Sequence, residues 1–375
     1  MKFPNKYLRN LKPYKLASHK IWAVAPEERA SVLKLDWNEA TVPPSPLVFE
    51  RISRLLAEPC FFNLYPKTHN EELTALLAAY TGLAESQVQY FASSDALHEY
   101  ICKVFISVGD PVMILGPSYD NFRLTCEANG AKVFFSNYRD DFTFHAETFE
   151  ADINAKEPAV VYICNPNNPT GNLLPETYIE SLLNHFPDTL FLIDEAYYEF
   201  AGVSCKDLVT KYDNILISRT MSKAFALANF RIGYLLGSTD NVQFVNRIRN
   251  PKNVSTIAQE AAIAALSDTA YMRHYVAQVH QGMACFEEAV RKHAARFVPF
   301  PSHGNFLLLR FASRDDRNAL IRFLAEHDIF VRETSQSPSV YDCFRITCGT
   351  VPQMQRVAAV IDAYYAGKEG ENRTV

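Results

Sequence analysis

The segment Ser218–Phe225 reads Ser-Arg-Thr-Met-Ser-Lys-Ala-Phe and directly follows a β-branched run. The hydroxyl groups of Thr220 and Ser222, together with the guanidinium of the nearby Arg231, suit a phosphate dianion. The amine of Lys223 can attack an aldehyde once it loses its proton. A lysine that bonds to an aldehyde beside a phosphate site indicates pyridoxal 5′-phosphate (PLP) as the cofactor.

A Ser-Lys pair alone is more often part of a solvated surface. Two upstream motifs change that interpretation. Asn165–Gly171 (Asn-Pro-Asn-Asn-Pro-Thr-Gly) follows the apolar run 160–164, and Asp194–Tyr197 (Asp-Glu-Ala-Tyr) follows the apolar run 190–193. Both positions are typical of the carboxyl end of a buried parallel strand, where open α/β sheets bind ligands.

In this order the three motifs resemble the class I/II aminotransferases of PLP fold type I, and most closely the histidinol-phosphate aminotransferase branch. Further pieces support the resemblance, which extends from about residue 11 to residue 350: Leu11–Tyr14, Leu35–Glu39, Tyr65–Pro66, Ser94–Asp95, Gly304–Phe306 and Arg345–Thr350. The chain departs from the family at four positions that could narrow the pocket, namely Ser93, Ala96, Ala226 and Asn229.

The resemblance implies the catalytic roles. Lys223 carries PLP and moves the substrate proton, so we expect its pKa to be lowered by burial and by Arg231. Asp194 pairs with the pyridine nitrogen, and Asn168 and Tyr197 donate to the phenolic oxygen O3′ of the cofactor. The alternatives are a helix N-cap for Asp194 and a simple turn for the Asn-Pro cluster.

The resemblance also implies a set of residues around the PLP phosphate and ring. Ser94 and Asp95 precede a helical pattern, and the free N–H groups of a helix start attract phosphate. The full predicted set is Ser94, Asp95, Thr220, Ser222 and Arg231, with Tyr119 stacked on the ring and Tyr65 reaching the phosphate across a dimer interface. Ser94 as a plain N-cap and Tyr65 in an ordinary turn are the alternatives.

Arg345 lies in the apolar pattern Phe344–Thr347, where a buried guanidinium needs an anion. By resemblance it binds a substrate anion, with Arg332, Asn38 and Tyr14 completing the substrate pocket. For Arg332, a surface ion pair with a neighbouring acidic residue is the alternative.

Composition limits the class of protein. The chain has 375 residues, enough for two lobes, and a formal net charge of −5 without a basic run. This argues against nucleic acid or an anionic membrane surface as a partner. The eight scattered cysteines are typical of reduced core thiols in a cytoplasmic protein, and no metal-binding motif or membrane-spanning segment is evident.

Strand-like runs alternate with helix-length stretches from residue 112 onward, which predicts a mostly parallel sheet. We therefore expect an α/β protein of PLP fold type I, with a large domain built on that sheet and a smaller C-terminal α+β domain. The predicted division is an N-terminal arm over residues 1–35, a large PLP-binding domain over 36–260 and a small domain over 261–375.

By resemblance, the predicted reaction is transamination between glutamate and 2-oxoglutarate on one side and a small phosphorylated amine or ketone on the other. Histidinol phosphate is the leading substrate. The alternatives are transamination of another phosphorylated ketone and decarboxylation of a phosphorylated amino acid. A non-catalytic regulator would need an added DNA-binding domain, and about 35 residues before Leu35 are too few. We expect a homodimer with shared active sites.

Overall fold

Helices and strands alternate along the computed structural model, which describes residues 5–9, 11–13, 20–334 and 338–373. Tyr14, a predicted substrate residue, lies outside the described residues. The strands are β1 (Leu33–Leu35), β2 (Val88–Phe91), β3 (Pro111–Gly116), β4 (Lys132–Asn137), β5 (Val160–Cys164), β6 (Leu190–Asp194), β7 (Ile215–Thr220), β8 (Gly233–Gly237), β9 (Phe297–Pro299), β10 (Phe306–Phe311), β11 (Ile329–Glu333) and β12 (Cys343–Thr347).

The α-helices are α1 (Pro46–Leu56), α2 (Glu71–Thr81), α3 (Ser94–Phe105), α4 (Asn121–Ala128), α5 (Ala146–Lys156), α6 (Glu176–His185), α7 (Tyr198–Ala201), α8 (Thr239–Asn246), α9 (Thr256–Leu266), α10 (Thr269–Val290), α11 (Arg314–Glu326) and α12 (Val351–Arg373). No helix among the described residues combines the length and the apolar composition that a membrane crossing requires.

Within the described residues, the large sheet has seven strands in the order β2-β8-β7-β6-β5-β3-β4. Strands β3 to β7 run parallel, as the βαβ rhythm predicted. Every residue of β5 is buried, which is why this strand reads as an uninterrupted apolar run. Strand β8 is antiparallel to both of its neighbours, because the chain between β7 and β8 contains no crossover helix to carry it back across the sheet.

The second sheet has the order β1-β11-β12-β10-β9 and is antiparallel except for the pair β1–β11. Strand β1, which falls inside the predicted N-terminal arm, thus adds an edge strand to the C-terminal sheet. Helix α10 packs against α12 beside this sheet. The architecture confirms the predicted α/β fold class, while the domain division at residues 36 and 261 stays a prediction.

The pairing register of the large sheet determines where the candidate active site lies. Cys164 pairs with Asp194, and Asp194 pairs with Ser218, so the carboxyl ends of β5, β6 and β7 meet at one edge. The three motifs identified in the sequence follow directly from these strand ends. They are therefore brought together by the sheet, although Asn168 and Lys223 are far apart along the chain.

Candidate active site

Lys223 lies in the loop that follows β7, with its amine directed toward the N-terminal segment of the chain. Its Nζ donates a hydrogen bond to the carbonyl oxygen of Trp37 at 2.9 Å and lies 5.9 Å from the centre of the Tyr197 ring. Burial and, secondarily, the positive charge of Arg345 lower the pKa of Lys223 to about 8. The predicted direction is therefore confirmed, but Arg345 contributes more to this shift than Arg231 does. A substantial fraction of the amine is neutral near physiological pH.

Asp194 closes β6 and has both carboxylate oxygens fixed by donors. Tyr162 Oη donates to Oδ2 at 2.7 Å, and the backbone N–H of Ala196 donates to Oδ1 at 3.2 Å. The side chain is almost completely buried. An oriented, buried carboxylate of this kind can hold a cationic nitrogen placed in its plane. The bond from Ala196 is a local one, and the N-cap of the helix that follows, α7, is Tyr197, so the helix N-cap alternative for Asp194 is wrong.

The hydroxyl of Tyr197 accepts hydrogen bonds from two side-chain amides. Asn38 Nδ2 lies 3.0 Å from Tyr197 Oη, and Asn168 Nδ2 lies 3.3 Å from it. Arg345 Nη1 donates to Asn168 Oδ1 at 2.6 Å, and Thr347 Oγ1 donates to Asn38 Oδ1 at 3.2 Å. Burial raises the pKa of Tyr197 well above its ordinary value, so the phenol keeps its proton and can donate it. Four predicted residues thus form one connected network.

The segment 36–38 contacts three of the predicted site residues. The carbonyl of Asp36 accepts from Arg345 Nη2 at 2.6 Å, that of Trp37 accepts from Lys223, and the amide of Asn38 donates to Tyr197. Asn38 has a positive φ of 55°, a conformation that asparagine tolerates better than most residues. This short segment connects β1 of the C-terminal sheet with the ends of the large sheet.

A second cluster surrounds the start of α3. Asp95 accepts from Tyr119 Oη at 3.0 Å and from Asn121 Nδ2 at 3.1 Å, and its other oxygen pairs with Arg231 Nη2 at 3.1 Å. Ser93, rather than Ser94, is the N-cap, because Ser93 Oγ accepts from the N–H of Ala96 at 3.2 Å. The N–H groups of the first turn have no partner within a helix, so this end of α3 can bind an anion.

Thr220 and Ser222 lie at the end of β7 with their hydroxyls 2.9 Å apart. Gly233 begins the adjacent strand, and a Cβ at this position would lie only 2.6 Å from the backbone nitrogen of Ser94 and from the carbonyl of Arg219. Strand β8 therefore packs closely against the first turn of α3. A side chain at position 233 would occupy the phosphate cradle, which is the space between Thr220, Ser222, Arg231 and the start of α3. A phosphate held by hydroxyls, helix N–H groups and Arg231 fits this cradle.

Three non-glycine residues around this cradle have a positive φ: Ser93 at 98°, Ala226 at 58° and Arg231 at 51°. Ser93 and Ala226 are two of the positions where the sequence departs from the glycines of the family. The backbone thus keeps the conformation that glycine adopts most easily, and the larger residues carry local strain.

The PLP predicted from the sequence fits the groups at this edge of the sheet. The phosphate cradle, the amine of Lys223, the carboxylate of Asp194 and the phenol of Tyr197 match its phosphate, aldehyde, ring nitrogen and phenolic oxygen in chemical type. Within the described ranges, no three His, Cys, Asp or Glu side chains are grouped so as to hold a metal ion.

Two further predicted residues are Arg332 and Tyr65. Arg332 is buried and pairs with Arg345 across β11 and β12. Tyr65 is 81% exposed, with the amine of Lys252 lying 4.6 Å from the centre of its ring. No contact within the described residues of this chain joins Tyr65 to the Lys223 cluster, so its predicted role depends on a second subunit.

Sequence reasoning missed Tyr162, His98, Thr347 and Asp36. Tyr162 pairs with Leu192 across β5 and β6, so its hydroxyl reaches Asp194 along a diagonal of the sheet. His98 lies one helical turn after Ser94, on the same face of α3. The i+4 spacing from Ser94 was a usable indication, but the diagonal needs the strand register, which the sequence does not supply.

Comparison with known proteins agrees with this geometry. The family model for aminotransferase class I and II matches residues 30–361. A dihydroxyacetone phosphate transaminase from Campylobacter jejuni is 39% identical over 377 residues, covering 98% of each chain. A histidinol-phosphate aminotransferase from Ruminiclostridium cellulolyticum is 32% identical over 342 residues, covering 89% of this chain and 92% of the relative.

Among solved structures, the fold matches a histidinol-phosphate aminotransferase from Sinorhizobium meliloti in complex with pyridoxal 5′-phosphate. The TM-score is 0.81 at 27% sequence identity, and the match covers 91% of this chain and 95% of that chain. The range matched by the family model, residues 30–361, includes both sheets and the motifs at the ends of β5, β6 and β7.

Proposed function

The chain belongs to the class I and II aminotransferases, which are PLP-dependent enzymes, and we propose that it transfers the amino group of glutamate to a small phosphorylated ketone. Dihydroxyacetone phosphate is the proposed acceptor, because the relative with that activity matches the chain over nearly its whole length. Histidinol phosphate, the substrate favoured by sequence resemblance, is the second candidate. The observation that carries the proposal is the buried pair Arg332–Arg345 beside the Lys223 network.

The two arginines match the charges of the two substrates. Glutamate presents an α-carboxylate, and a planar guanidinium binds a carboxylate through two parallel hydrogen bonds. We assign this role to Arg345, which lies within contact of Asn168 next to Tyr197. Arg332, on the same face of the sheet, would bind the phosphate of the ketone. Asn38 holds Tyr197 and lines the same space.

Around the cofactor, each residue has one proposed task. PLP supplies an electron-withdrawing ring that stabilises negative charge on the carbon that loses its proton. Lys223 Nζ, in its neutral form, accepts the proton from the substrate Cα. Asp194 holds the ring nitrogen, while Asn168 and Tyr197 donate to the phenolic oxygen. Helix α3, through the backbone N–H groups near Ser94 and Asp95, binds the phosphate together with Thr220, Ser222 and Arg231, and Tyr119 covers the ring.

We propose that the active site is shared between two subunits of a homodimer. The residues Phe62, Leu64 and Tyr65 are 76%, 66% and 81% exposed and lie close together in sequence. A monomer rarely leaves large apolar side chains clustered in solvent, so a second copy is the natural cover for this surface. Tyr65 would then reach the phosphate site of the partner subunit.

Cytoplasmic location is part of the same proposal. All eight cysteines lie within the described ranges, none of them forms a disulfide, and six are buried. This usage agrees with a reducing compartment. Neither nucleic acid nor a membrane is a proposed partner, because the net charge of −5 gives no basic surface for a polyanion.

A substrate panel tests the proposal directly. The purified enzyme with PLP is incubated with glutamate, aspartate or alanine as donor, and with dihydroxyacetone phosphate, histidinol phosphate (in the reverse direction) or an unphosphorylated ketone. The measured products are the keto acid formed from each donor (2-oxoglutarate, oxaloacetate or pyruvate), the glutamate formed from 2-oxoglutarate when histidinol phosphate is the amine, and the carbon dioxide released from an added phosphorylated amino acid. Transfer to dihydroxyacetone phosphate at a kcat/KM at least tenfold above the other substrates supports the proposal. Preference for histidinol phosphate, or carbon dioxide release from a phosphorylated amino acid, replaces it with that activity.

Borohydride reduction followed by peptide mapping tests the site itself. The pyridoxyl group is expected on Lys223, since its amine lies at the centre of the networks described above. A label on another lysine would remove Lys223 from the proposed mechanism whatever the substrate panel shows.

A further inference from the structure

The carboxylate of Asp194 is surrounded by a second layer of side chains that the sequence motifs do not include. Its Oδ2 accepts the hydroxyl of Tyr162 at 2.7 Å, and the Nε2 of His98 lies 4.0 Å from the same oxygen. Both His98 and Tyr162 are completely buried. Strand β5 therefore provides a direct hydrogen bond to this oxygen, while helix α3 places a ring nitrogen close to it but beyond hydrogen-bond distance.

The position of His98 is set by contacts on several sides. Its ring packs edge to face against Phe122, at 5.6 Å between centroids, and against Tyr162, at 5.7 Å. The ring nitrogen Nε2 shares a hydrogen bond of 2.9 Å with Ser218 Oγ at the end of β7. The other ring nitrogen, Nδ1, is buried and has no hydrogen-bond partner among the described residues.

Among these contacts, the ring of His98 has polar neighbours on one side only. A buried histidine that served packing alone would be an expensive choice, because an apolar residue would fill the same space without an unsatisfied nitrogen. The polar edge of the ring points to the junction of β6 and β7, where Asp194 and Ser218 are paired in register. The histidine thus adds polarity at the place where the carboxylate must be stabilised.

Tyr162 can act as a donor throughout the working pH range. Burial, and secondarily the negative charge of Asp194, raise the pKa of the Tyr162 phenol well above its ordinary value. The phenol therefore stays protonated, and its hydrogen is directed at Oδ2. With Ala196 N–H bound to Oδ1, each oxygen has one fixed donor and keeps capacity for a ligand.

We propose that His98 and Tyr162 are positioning residues that hold Asp194 in the orientation and charge state that keep the cofactor's pyridine nitrogen protonated. Neither residue touches the cofactor, and both act through Asp194. A buried carboxylate that lacks donors tends to take up a proton or to rotate. In either case it no longer presents a fixed anion to the ring nitrogen. This inference rests on the proposed role of Asp194.

Helix α3 would then support the cofactor both at its phosphate and, through Asp194, at its ring nitrogen. Its first residue, Ser94, lies at the phosphate cradle, and His98 lies one turn further along the same face. Because a helix is rigid over this distance, the spacing between the phosphate site and the support of Asp194 is fixed. The ring is thereby held at both ends by elements that cannot move independently.

The test uses the enzyme loaded with PLP labelled with 15N at the ring nitrogen. The 15N chemical shift of the bound cofactor reports whether this nitrogen carries a proton, which a purely structural role would not change. The variants are Tyr162→Phe, His98→Leu and His98→Gln, since the glutamine amide nitrogen reaches about as far as Nε2. Ile101→Val, a buried change on the same helix, is the control for repacking. Asp194→Ala tests the proposed role of Asp194 itself, on which the inference rests.

We expect Tyr162→Phe and His98→Leu to move the 15N shift toward that of unprotonated pyridine and to lower kcat/KM by roughly tenfold to a hundredfold, the loss typical of groups that orient a functional ligand. His98→Gln should restore most of both properties, and Ile101→Val should change neither. The affinity of the apoenzyme for PLP should fall by less than about tenfold in all of these variants, because the phosphate contacts remain.

The outcomes separate the two proposals. If Asp194→Ala leaves the 15N shift unchanged, the proposed role of Asp194 is wrong. If Asp194→Ala moves the shift but Tyr162→Phe or His98→Leu does not, the role of Asp194 stands and the inference is overturned for the residue whose substitution has no effect. Should His98→Leu not fold, Tyr162→Phe and His98→Gln still decide the question, because an unchanged shift in Tyr162→Phe contradicts the inference.

Discussion

Arg332 and Arg345 lie directly opposite each other in the antiparallel pair of β11 and β12, and each is only 8% exposed. Residues opposite each other in such a pair project from the same face of the sheet with their Cβ atoms about 5 Å apart. Two like charges at that distance destabilise a sheet unless an anion or a dipole lies between them. For Arg345, Asn168 Oδ1 and the Asp36 carbonyl oxygen supply such dipoles, and we propose that a substrate anion adds to them.

Replacing the two arginines one at a time should separate the two half-reactions. Arg345→Gln removes the bonds to Asn168 and to the Asp36 carbonyl, so it should impair the reaction with glutamate and the reaction with the phosphorylated ketone. Arg332→Gln should mainly weaken the second. The expected loss is about 1.5–3 kcal/mol per charged hydrogen bond, or roughly 10- to 150-fold in kcat/KM.

Single-turnover spectra of each half-reaction measure these effects. Arg322→Gln, an exposed arginine on α11 of the same sheet region, is the matched control and should leave both half-reactions unchanged. Unaltered affinity of the Arg332→Gln variant for every phosphorylated substrate would contradict the phosphate role and favour an unphosphorylated ketone.

Covalent attachment of PLP to the apoenzyme should depend on pH through Lys223. Because burial lowers the pKa of this amine to about 8, the neutral, reactive form increases as pH rises from 7 to 9. The rate constant of attachment should rise over this interval and then level off. Above pH 7 the PLP phosphate, with a second pKa near 6, stays dianionic and does not distort the profile.

Arg345→Gln should move the midpoint of that profile upward, since its charge is the largest electrostatic cause of the lowered pKa of Lys223. The protonated amine then persists to higher pH, and attachment at pH 7.5 is slower than in the wild type. Stopped-flow absorbance gives the rates, with Arg322→Gln again as the control. A midpoint that stays in place would show that Arg345 does not influence Lys223.

The parts of the fold that could be predicted are those fixed by local patterns. The apolar run 160–164 forms strand β5, and helix α6 occupies one of the helix-length stretches expected between strands. These elements are continuous apolar or periodic runs, which sequence alone reveals. The motifs at the ends of β5, β6 and β7 could be placed because parallel strands share a direction.

What could not be predicted depends on pairing between distant segments. Strand β1 is only three residues long, and its pairing with β11 joins residues almost 300 positions apart. The contact of Asn38 with Tyr197 follows from that pairing, as does the bond from Lys223 to the Trp37 carbonyl. A local pattern carries no information about such register, so these contacts emerge only from the three-dimensional structure.

Mixing two inactive variants should restore activity if Tyr65 serves the partner's site. A subunit carrying Lys223→Ala still offers its Tyr65, and a subunit carrying Tyr65→Ala still offers its Lys223. Half of the dimers in an equal random mixture are hybrids, and one of their two sites is intact, so recovery of roughly a quarter of wild-type activity is expected.

Mixing Lys223→Ala with Asp194→Ala is the control for this experiment. These two residues belong to the network of one subunit, so every site in the mixture keeps a defect and no activity should return. Subunit exchange is confirmed by sedimentation with one variant labelled. Recovery in the control, or none in the Tyr65 mixture after proven exchange, would contradict a shared site.

Glu199 should make the protein less stable as pH rises. Both of its carboxylate oxygens are buried without a hydrogen-bond partner among the described residues. Burial raises the pKa of Glu199 to about 8, although the charge of Arg219 opposes this rise. Between an unfolded pKa near 4.5 and the folded value, the folded state binds the proton and the unfolded state does not. The free energy of unfolding therefore falls with pH across this window and stops falling above about pH 8.

Glu199→Gln keeps the shape of the side chain and removes the titration, so the variant should gain about 2–4 kcal/mol over the wild type at pH 8.5 and much less at pH 5. Urea unfolding of the apoenzyme at the two pH values measures the difference. Glu58→Gln, at an exposed position on the same chain, should show no such pH-dependent gain. Equal gains for Glu199→Gln at both pH values would mean that the substitution acts through packing and that Glu199 does not titrate in this window.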